Sequence, residues 1–309
     1  EIADEVSNPE HPALQDFFSL RERLSSFTGL EEVDAPKGFE GELRPYQKNG
    51  LSWLWFLHRY KLGGCLADDM GLGKTIQTLA LLAKAREAGE MKRALVVCPV
   101  STLGNWKREA ETFTPGFSLM IHAGQNRISK KEDFEDVDIV FVGYATMQRD
   151  IGLMEEVEFD YLILDEAQAI KNPKAKRRKA IARLDTPHRL ALTGTPVENS
   201  TLELWSLLDI LMPGILGSRA AFSKRFGTEI EAGMLKGGRS VEPHPGKGNS
   251  AAGRAEPETA GGLGGRNIYE PAAERLRRII RPLILRRTKK VVAPELPDKE
   301  ELVDYVEMG

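Results

Sequence analysis

The sequence predicts an α/β fold in which a parallel sheet carries helices on both faces. Short apolar runs rich in branched residues recur at 64–67, 94–98, 138–142, 161–164 and 189–192, and polar or Gly/Pro-containing turns follow them. Helical stretches lie between several of them, at 76–84, 102–113 and 176–184. Uninterrupted apolar strands alternating with helices are the mark of strands buried on both faces. Such sheets bind ligands outside the carboxyl ends of their strands. Here the chemistry-bearing residues cluster just after strands.

The first run, ending at Ala67, leads into Asp68-Asp69-Met70-Gly71-Leu72-Gly73-Lys74-Thr75 and then into a helical stretch. Strand, glycine loop, Gly-Lys-Thr and helix is the layout of a phosphate-binding loop. Gly71 and Gly73 can take backbone angles closed to other residues. The loop amides can then turn onto phosphate oxygens, with the helix dipole behind them. Lys74 would reach the β- and γ-phosphates, and the Thr75 hydroxyl would hold Mg²⁺. One position departs from the pattern. Asp68 stands where a glycine is expected, and an acid beside phosphates looks wrong in isolation. A bare Gly-x-Gly-Lys-Thr also serves as a plain strand–helix turn.

The 309 residues set two domains as the upper limit, or one large one. Hydrophobic residues make up 41% and charged ones 29%, with a net charge of −3. That balance announces no nucleic-acid binder, so any such surface must be local. The 2 cysteines, Cys65 and Cys98, sit inside strand-like runs and read as buried free thiols. They form no disulfide framework and no metal-ligand spacing, which fits a reducing compartment. The 5 histidines are scattered and read as solvated or hydrogen-bonded. No apolar run approaches membrane-spanning length and no signal peptide opens the chain, so no membrane partner is expected. The first residue is Glu1, which reads as a fragment or a processed piece.

Phe17, Phe18, Leu20, Leu24 and Phe27 recur at near-helical spacing within an N-terminal extension, residues 1–38. Pro45 opens a helix carrying Leu51, Trp53, Leu54, Leu57 and Tyr60. Gln47, at its start, has an amide able to read the donor/acceptor edge of adenine; a glutamine there is more often just solvated. Asp165 and Glu166 follow the run at 161–164. Asp165 could hold Mg²⁺ and Glu166 could accept a proton from an attacking water. Two acids also suit a helix N-terminus. Thr193, Gly194 and Thr195 follow the run at 189–192. Their hydroxyls could bond the γ-phosphate side and relay its presence, or the segment could be a simple Gly-Pro turn. A helix is expected over 202–212. Residues 233–265, rich in Gly, Ala, Pro and Ser, read as a flexible insertion. Basic clusters stand at Lys171, Lys174, Lys176, Arg177, Arg178 and Lys179, at Arg275, Arg277, Arg278 and Arg281, and at Arg286, Arg287, Lys289 and Lys290. Such runs are solvated faces or phosphate-backbone contacts.

Residues 43–47, 68–75, 97–106, 165–172 and 192–199 occur in the order of superfamily-two helicase motifs. The wording Asp-Asp-Met-Gly-Leu-Gly-Lys-Thr, Asp-Glu-Ala-Gln-x-Ile-Lys-Asn and Leu-Thr-Gly-Thr-Pro-x-Glu-Asn resembles the SWI/SNF family of DNA translocases. Leu285-Arg286-Arg287-Thr288-Lys289 and Leu296-Pro297-Asp298-Lys299 match it as well. In that family an acid commonly occupies the place of Asp68, while Glu is commoner where Asp69 stands. The resemblance implies a RecA-like lobe over 39–290, a linker over 291–309, and a second lobe beyond it. It implies ATP and Mg²⁺ as cofactors and double-stranded DNA as partner. Gln47 would recognise adenine; the loop from Asp68 to Thr75 would hold the phosphates; Lys74, Asp165 and Glu166 would serve catalysis; and Thr193 to Thr195 would couple nucleotide to DNA. Ser101, Thr102 and Lys107 lie where the family contacts the DNA backbone, and Lys171, Arg286, Arg287 and Lys289 are further candidates. Without the second lobe's arginines, worth about 10³–10⁵ in rate, poor hydrolysis is expected. The competing expectations are a nucleotide-dependent docking module without turnover, an RNA helicase lobe, which the Asp-Glu-Ala-Gln wording and Arg286-Arg287 disfavour, and a restriction subunit, for which no nuclease carboxylate cluster is seen. Localisation would be cytoplasmic and nucleoid-associated in a prokaryote, or nuclear in a eukaryote.

Overall fold

A computed structural model describes residues 30–124, 127–173, 175–194, 201–224, 226, 274, 276–277 and 280–292. The helix expected over Phe17–Phe27, the insertion at 233–265, the linker from 293 onward, and Lys174, Thr195, Arg275 and Arg278 lie outside the described residues.

The strands are β1 Gly64–Leu66, β2 Ala94–Cys98, β3 Leu119–His122, β4 Ile139–Gly143, β5 Tyr161–Leu164, β6 His188–Leu192 and β7 Ile284–Leu285. They form one sheet in the order β3-β4-β2-β5-β6-β1-β7, with every pairing parallel. The helices are α1 Pro45–Arg59, α2 Lys74–Glu87, α3 Leu103–Phe113, α4 Tyr144–Arg149, α5 Ile151–Glu155, α6 Lys176–Arg183, α7 Thr201–Leu211 and α8 Lys289–Val292. Successive strand residues point to opposite faces, yet every residue of β2, β4 and β5 is buried. Both faces of the sheet are therefore covered, as the sequence predicts. Each large aliphatic side chain so buried contributes about 1.5–3 kcal/mol.

Five strands coincide with the predicted runs, and two were not foreseen. β3 is an edge strand in which only His122 is buried, Leu119 and Met120 are partly buried and Ile121 is exposed, so it lacks the buried branched run of the central strands. β7 is two residues long, between Pro282 and two arginines. It becomes a strand because Cys65 and Leu66 of β1 pair with it. Trp53 of α1 helps to hold it, donating its indole N–H to the Pro282 carbonyl at 2.9 Å.

The register brings the carboxyl ends of four strands into step. Leu164 pairs with Ala191, and Leu66 pairs with both Leu192 and Leu285. The segments leaving β5, β6, β1 and β7 therefore emerge along one rim of the sheet.

Candidate functional site

The loop after β1 has the predicted shape. Gly71 and Gly73 sit at φ +84° and +72°, in the left-handed region. Gly73 also has no room for a side chain, because a Cβ there would stand 2.4 Å from Nε2 of Gln47. Lys74 begins α2, and Thr75 is half-buried in its first turn. The Lys74 ammonium donates to the loop's own carbonyls, Asp68 O at 2.7 Å and Asp69 O at 3.3 Å. Burial lowers its pKa, and the charges of Asp68, Glu166, Asp165 and Asp69 oppose that shift. The acids after β5 are thus close enough to act on the loop lysine. Gln47 is buried against the loop; its Oε1 accepts the Arg44 amide at 2.9 Å and its Nε2 leans on Leu72 O at 3.4 Å. An amide of this kind keeps a further lone pair and a further N–H.

Asp68, the residue that departs from the loop pattern, is 0% exposed and turns away from the mouth of the loop. Arg287 closes on it: the Arg287 amide and Nε each donate to Asp68 Oδ1 at 3.0 Å, and a second guanidinium nitrogen reaches Oδ2. The same guanidinium donates to Gln77 Oε1 at 2.6 Å and to the Tyr46 carbonyl. This corrects one expectation. Arg287 is no phosphate-backbone contact, because it is buried and its donors are engaged by Asp68, Gln77 and Tyr46. The acid is tolerated because a guanidinium from 219 residues downstream neutralises it. Gly50 makes the room, since a Cβ there would stand 1.8 Å from Gln77 Oε1.

Asp165 lies at the carboxyl end of β5, where Trp106 of α3 donates to its Oδ2 at 2.9 Å and the Glu166 amide to its Oδ1 at 3.0 Å. Tyr144 donates to its carbonyl at 2.7 Å. Burial raises the Asp165 pKa, while the Trp106 bond lowers it. Glu166 takes φ +48°, a backbone conformation uncommon for a residue with a side chain. Gln168 then donates to Glu166 Oε2 at 2.7 Å and accepts from the Thr193 hydroxyl at 3.2 Å. Thr193 is therefore wired to the acids through Gln168. Gly194 sits under the loop tip, where a Cβ would stand 2.8 Å from Met70 Cγ; Met70 itself is 70% exposed. Trp106, Tyr144, Gln168 and Gln77 were missed as site residues. Trp106 and Gln168 lie inside stretches singled out for their wording, which was the available signal.

The expected nucleic-acid residues are scattered by the fold. Ser101 is exposed in the turn after β2. Thr102 donates its hydroxyl to Pro99 O at 2.9 Å, so that proton is already committed. Lys107 pairs with Glu111 at 2.9 Å and Lys171 with Glu203 at 3.5 Å. Arg178 is a second correction: it is buried, donates to Ser206 Oγ at 2.9 Å and pairs with Asp209, so it faces no backbone. Arg286 is exposed. Lys289 stands beside the loop, its Nζ 3.4 Å from where a Gly71 Cβ would be. The two cysteines are buried and free, their thiols pushed up to about 12 for Cys65 and about 11 for Cys98. No helix among the described residues is long and apolar enough to cross a membrane.

A model described as the SNF2-related domain matches residues 46–309. YwqA of Bacillus subtilis is 37% identical over 298 residues, which is 94% of this chain and 28% of that protein. The TATA-binding protein-associated factor MOT1 of Saccharomyces cerevisiae is 36% identical over 329 residues, covering 100% of this chain and 16% of its own length. The solved Sulfolobus solfataricus SWI2/SNF2 ATPase core in complex with dsDNA superposes with a TM-score of 0.68 at 38% identity, over 87% of this chain and 49% of that one. The chain thus spans less than half the length of each of these relatives.

Proposed function

The chain belongs to the SNF2-related family, and from that premise we propose that it is the ATP-binding lobe of a motor that hydrolyses ATP as it moves along double-stranded DNA and displaces proteins bound there. A second RecA-like lobe would close the site. The observation that carries this reading is that β5, β6 and β1 lie side by side, with the Lys74 ammonium 3.8 Å from the place of a Gly194 Cβ and Glu166 linked through Gln168 to the neighbouring Thr193.

The loop amides and the start of α2 bind the phosphates, and Lys74 leaves its own carbonyls to join them. Gln47 reads adenine with the lone pair and N–H that its internal bonds leave over. Thr75 and Asp165 would hold Mg²⁺. A hydroxyl and a carboxylate are the hard oxygen donors that ion takes, with its other ligands drawn from phosphates and water. Among the described residues no group of three His, Cys, Asp or Glu could hold a metal unaided. When bound, the ion offsets charge developing on the phosphate oxygens. Glu166 accepts the proton of the attacking water, with Gln168 fixing its carboxylate. Thr193, through Gln168, passes the state of the site to the residues that contact DNA, of which Ser101 and Arg286 are exposed. A DNA motor would work where the genome lies, in a nucleoid or a nucleus.

The test is ATP hydrolysis by the parent chain with duplex DNA, duplex RNA or neither. Stimulation by duplex DNA, lost in Lys74→Ala and Glu166→Gln, is expected. Stimulation by RNA alone would sink the DNA reading, and turnover unchanged in Glu166→Gln would sink the assignment of the base.

A further inference from the structure

The segment after β7 runs beside the nucleotide loop instead of leaving the sheet. Ala67 N donates to Leu285 O at 2.7 Å and Asp69 N to Arg287 O at 3.0 Å. In the other direction Arg287 N donates to Asp68 Oδ1 and Lys289 N to Asp69 Oδ2, each at 3.0 Å. Residues 285–289 and 67–69 are therefore zipped together, and the buried Arg287–Asp68 pair fastens the zip. The backbone of Lys289 is fixed within this arrangement.

Its side chain is not committed. The Lys289 ammonium makes no ion pair or hydrogen bond among the described residues. It lies 3.4 Å, and its Cε 3.5 Å, from the place a Cβ would take on exposed Gly71. Lys74 occupies the other flank, its Nζ 3.8 Å from the corresponding place on Gly194, which comes after β6. The strand order β6-β1-β7 puts the loop between the two ammonium groups. The nearby acids do not use up this second cation: Asp68 is neutralised by Arg287, and Asp69 accepts the Lys289 amide but forms no ion pair with its ammonium among the described residues. An uncommitted ammonium held at the mouth of a loop whose amides favour anions will attract phosphate.

We propose that Lys289 is a second phosphate-binding cation of the nucleotide site, gripping the phosphate chain from the β7 flank opposite Lys74. This rests on the reading of the loop as the nucleotide site. It also reassigns a residue that the sequence alone placed on DNA.

The experiment is calorimetric titration of the chain with MgATP and MgADP, beside a duplex-DNA binding measurement, for wild type, Lys289→Met, Lys289→Glu, Lys289→Arg and Lys74→Ala. Lys289→Met should weaken both nucleotides about tenfold, Lys289→Glu should weaken them more, and Lys289→Arg should restore most of the affinity, with duplex-DNA affinity unchanged throughout. If Lys74→Ala loses nucleotide and Lys289→Met does not, the inference fails and the nucleotide reading stands. If neither loses nucleotide, the nucleotide reading falls and takes the inference with it. Loss of DNA affinity with ATP binding intact would return Lys289 to the nucleic-acid surface and overturn the proposal.

Discussion

Strand β5 ends in two chemistries. At its amino end the Tyr161 hydroxyl and His58 Nδ1 lie 2.6 Å apart, and His58 Nε2 lies 2.5 Å from Glu90. His188 stacks on Tyr161 and leans on His58, with ring centroids 4.9 and 4.4 Å away. Leu54, Leu57, Leu62, Leu81 and Leu190 line the same place. At the carboxyl end stand Asp165, Glu166 on its left-handed backbone, and Lys74 resting on its own loop. Burial raises the pKa of both Tyr161 and Asp165, yet the consequences differ. The phenol stays neutral and closes a local network. The carboxylate keeps acceptor sites beyond its bonds to Trp106 and the Glu166 amide, and those are what a metal ion or water needs. At the base Tyr161, His58 and Glu90 satisfy one another, while the groups at the rim are oriented but left with capacity.

The sharpest way to break this contrast is to remove chemistry from one end and packing from the other. Glu166→Gln should lower ATP turnover by about 10²–10⁴ while leaving the melting temperature and ATP binding unchanged. Tyr161→Phe should do the reverse, leaving turnover alone and reducing stability by about 1–3 kcal/mol as His58 loses a buried partner. Steady-state rates and urea unfolding on both variants decide it. Equal losses of stability in the two would erase the distinction.

Arg287 is the exception that refines the comparison, because it is a packing group set at the working rim. Arg287→Met leaves Asp68 buried and uncompensated, so unfolding free energy should fall by about 3–5 kcal/mol. Asp68→Asn with Arg287→Met removes both charges and should recover most of that loss. Urea titrations of the two single variants and the double variant measure it. A double variant no better than Arg287→Met alone would mean that the guanidinium acts through Tyr46 and Gln77 rather than through Asp68.

This pair also marks where the sequence stopped being legible. Local signals carried five of the seven strands among the described residues, the glycine loop and the acids after β5, because each is written within a few consecutive residues. Asp68 looked anomalous because its partner lies 219 positions away, beyond any periodicity or turn rule. Arg287 and Arg178 were read as part of basic surfaces because a run of charges does not say which member turns inward. β7 escaped for a related reason: two apolar residues become a strand only when β1 is there to pair with them. Lys289 was assigned to DNA by its neighbours in sequence and is found at the loop by its neighbours in space.

A further expected effect belongs to the base and concerns pH. Burial, helped by the adjacent His58 and Lys61 and opposed by the charges of Asp160 and Glu90, holds His188 down to about 4. Among the described residues its Nδ1 is buried without a hydrogen-bond partner. A free histidine titrates near 6.5, so between the two values the unfolded chain binds the proton and the folded chain resists it. Stability should therefore be whole above about 6.5, decline as the pH falls through that window, and level off below about 4. His188→Phe keeps the ring between Tyr161 and His58 but cannot take up a proton, so its melting temperature should fall less over the same range. Asp150 does not mimic this loss, because Arg127 holds its carboxyl down to about 2 and its contribution disappears only at lower pH. A His188→Phe curve parallel to wild type from pH 6.5 to 4 would assign the decline to other groups, and not to Asp165, whose raised carboxyl takes up its proton more readily in the folded chain and so adds stability as the pH falls.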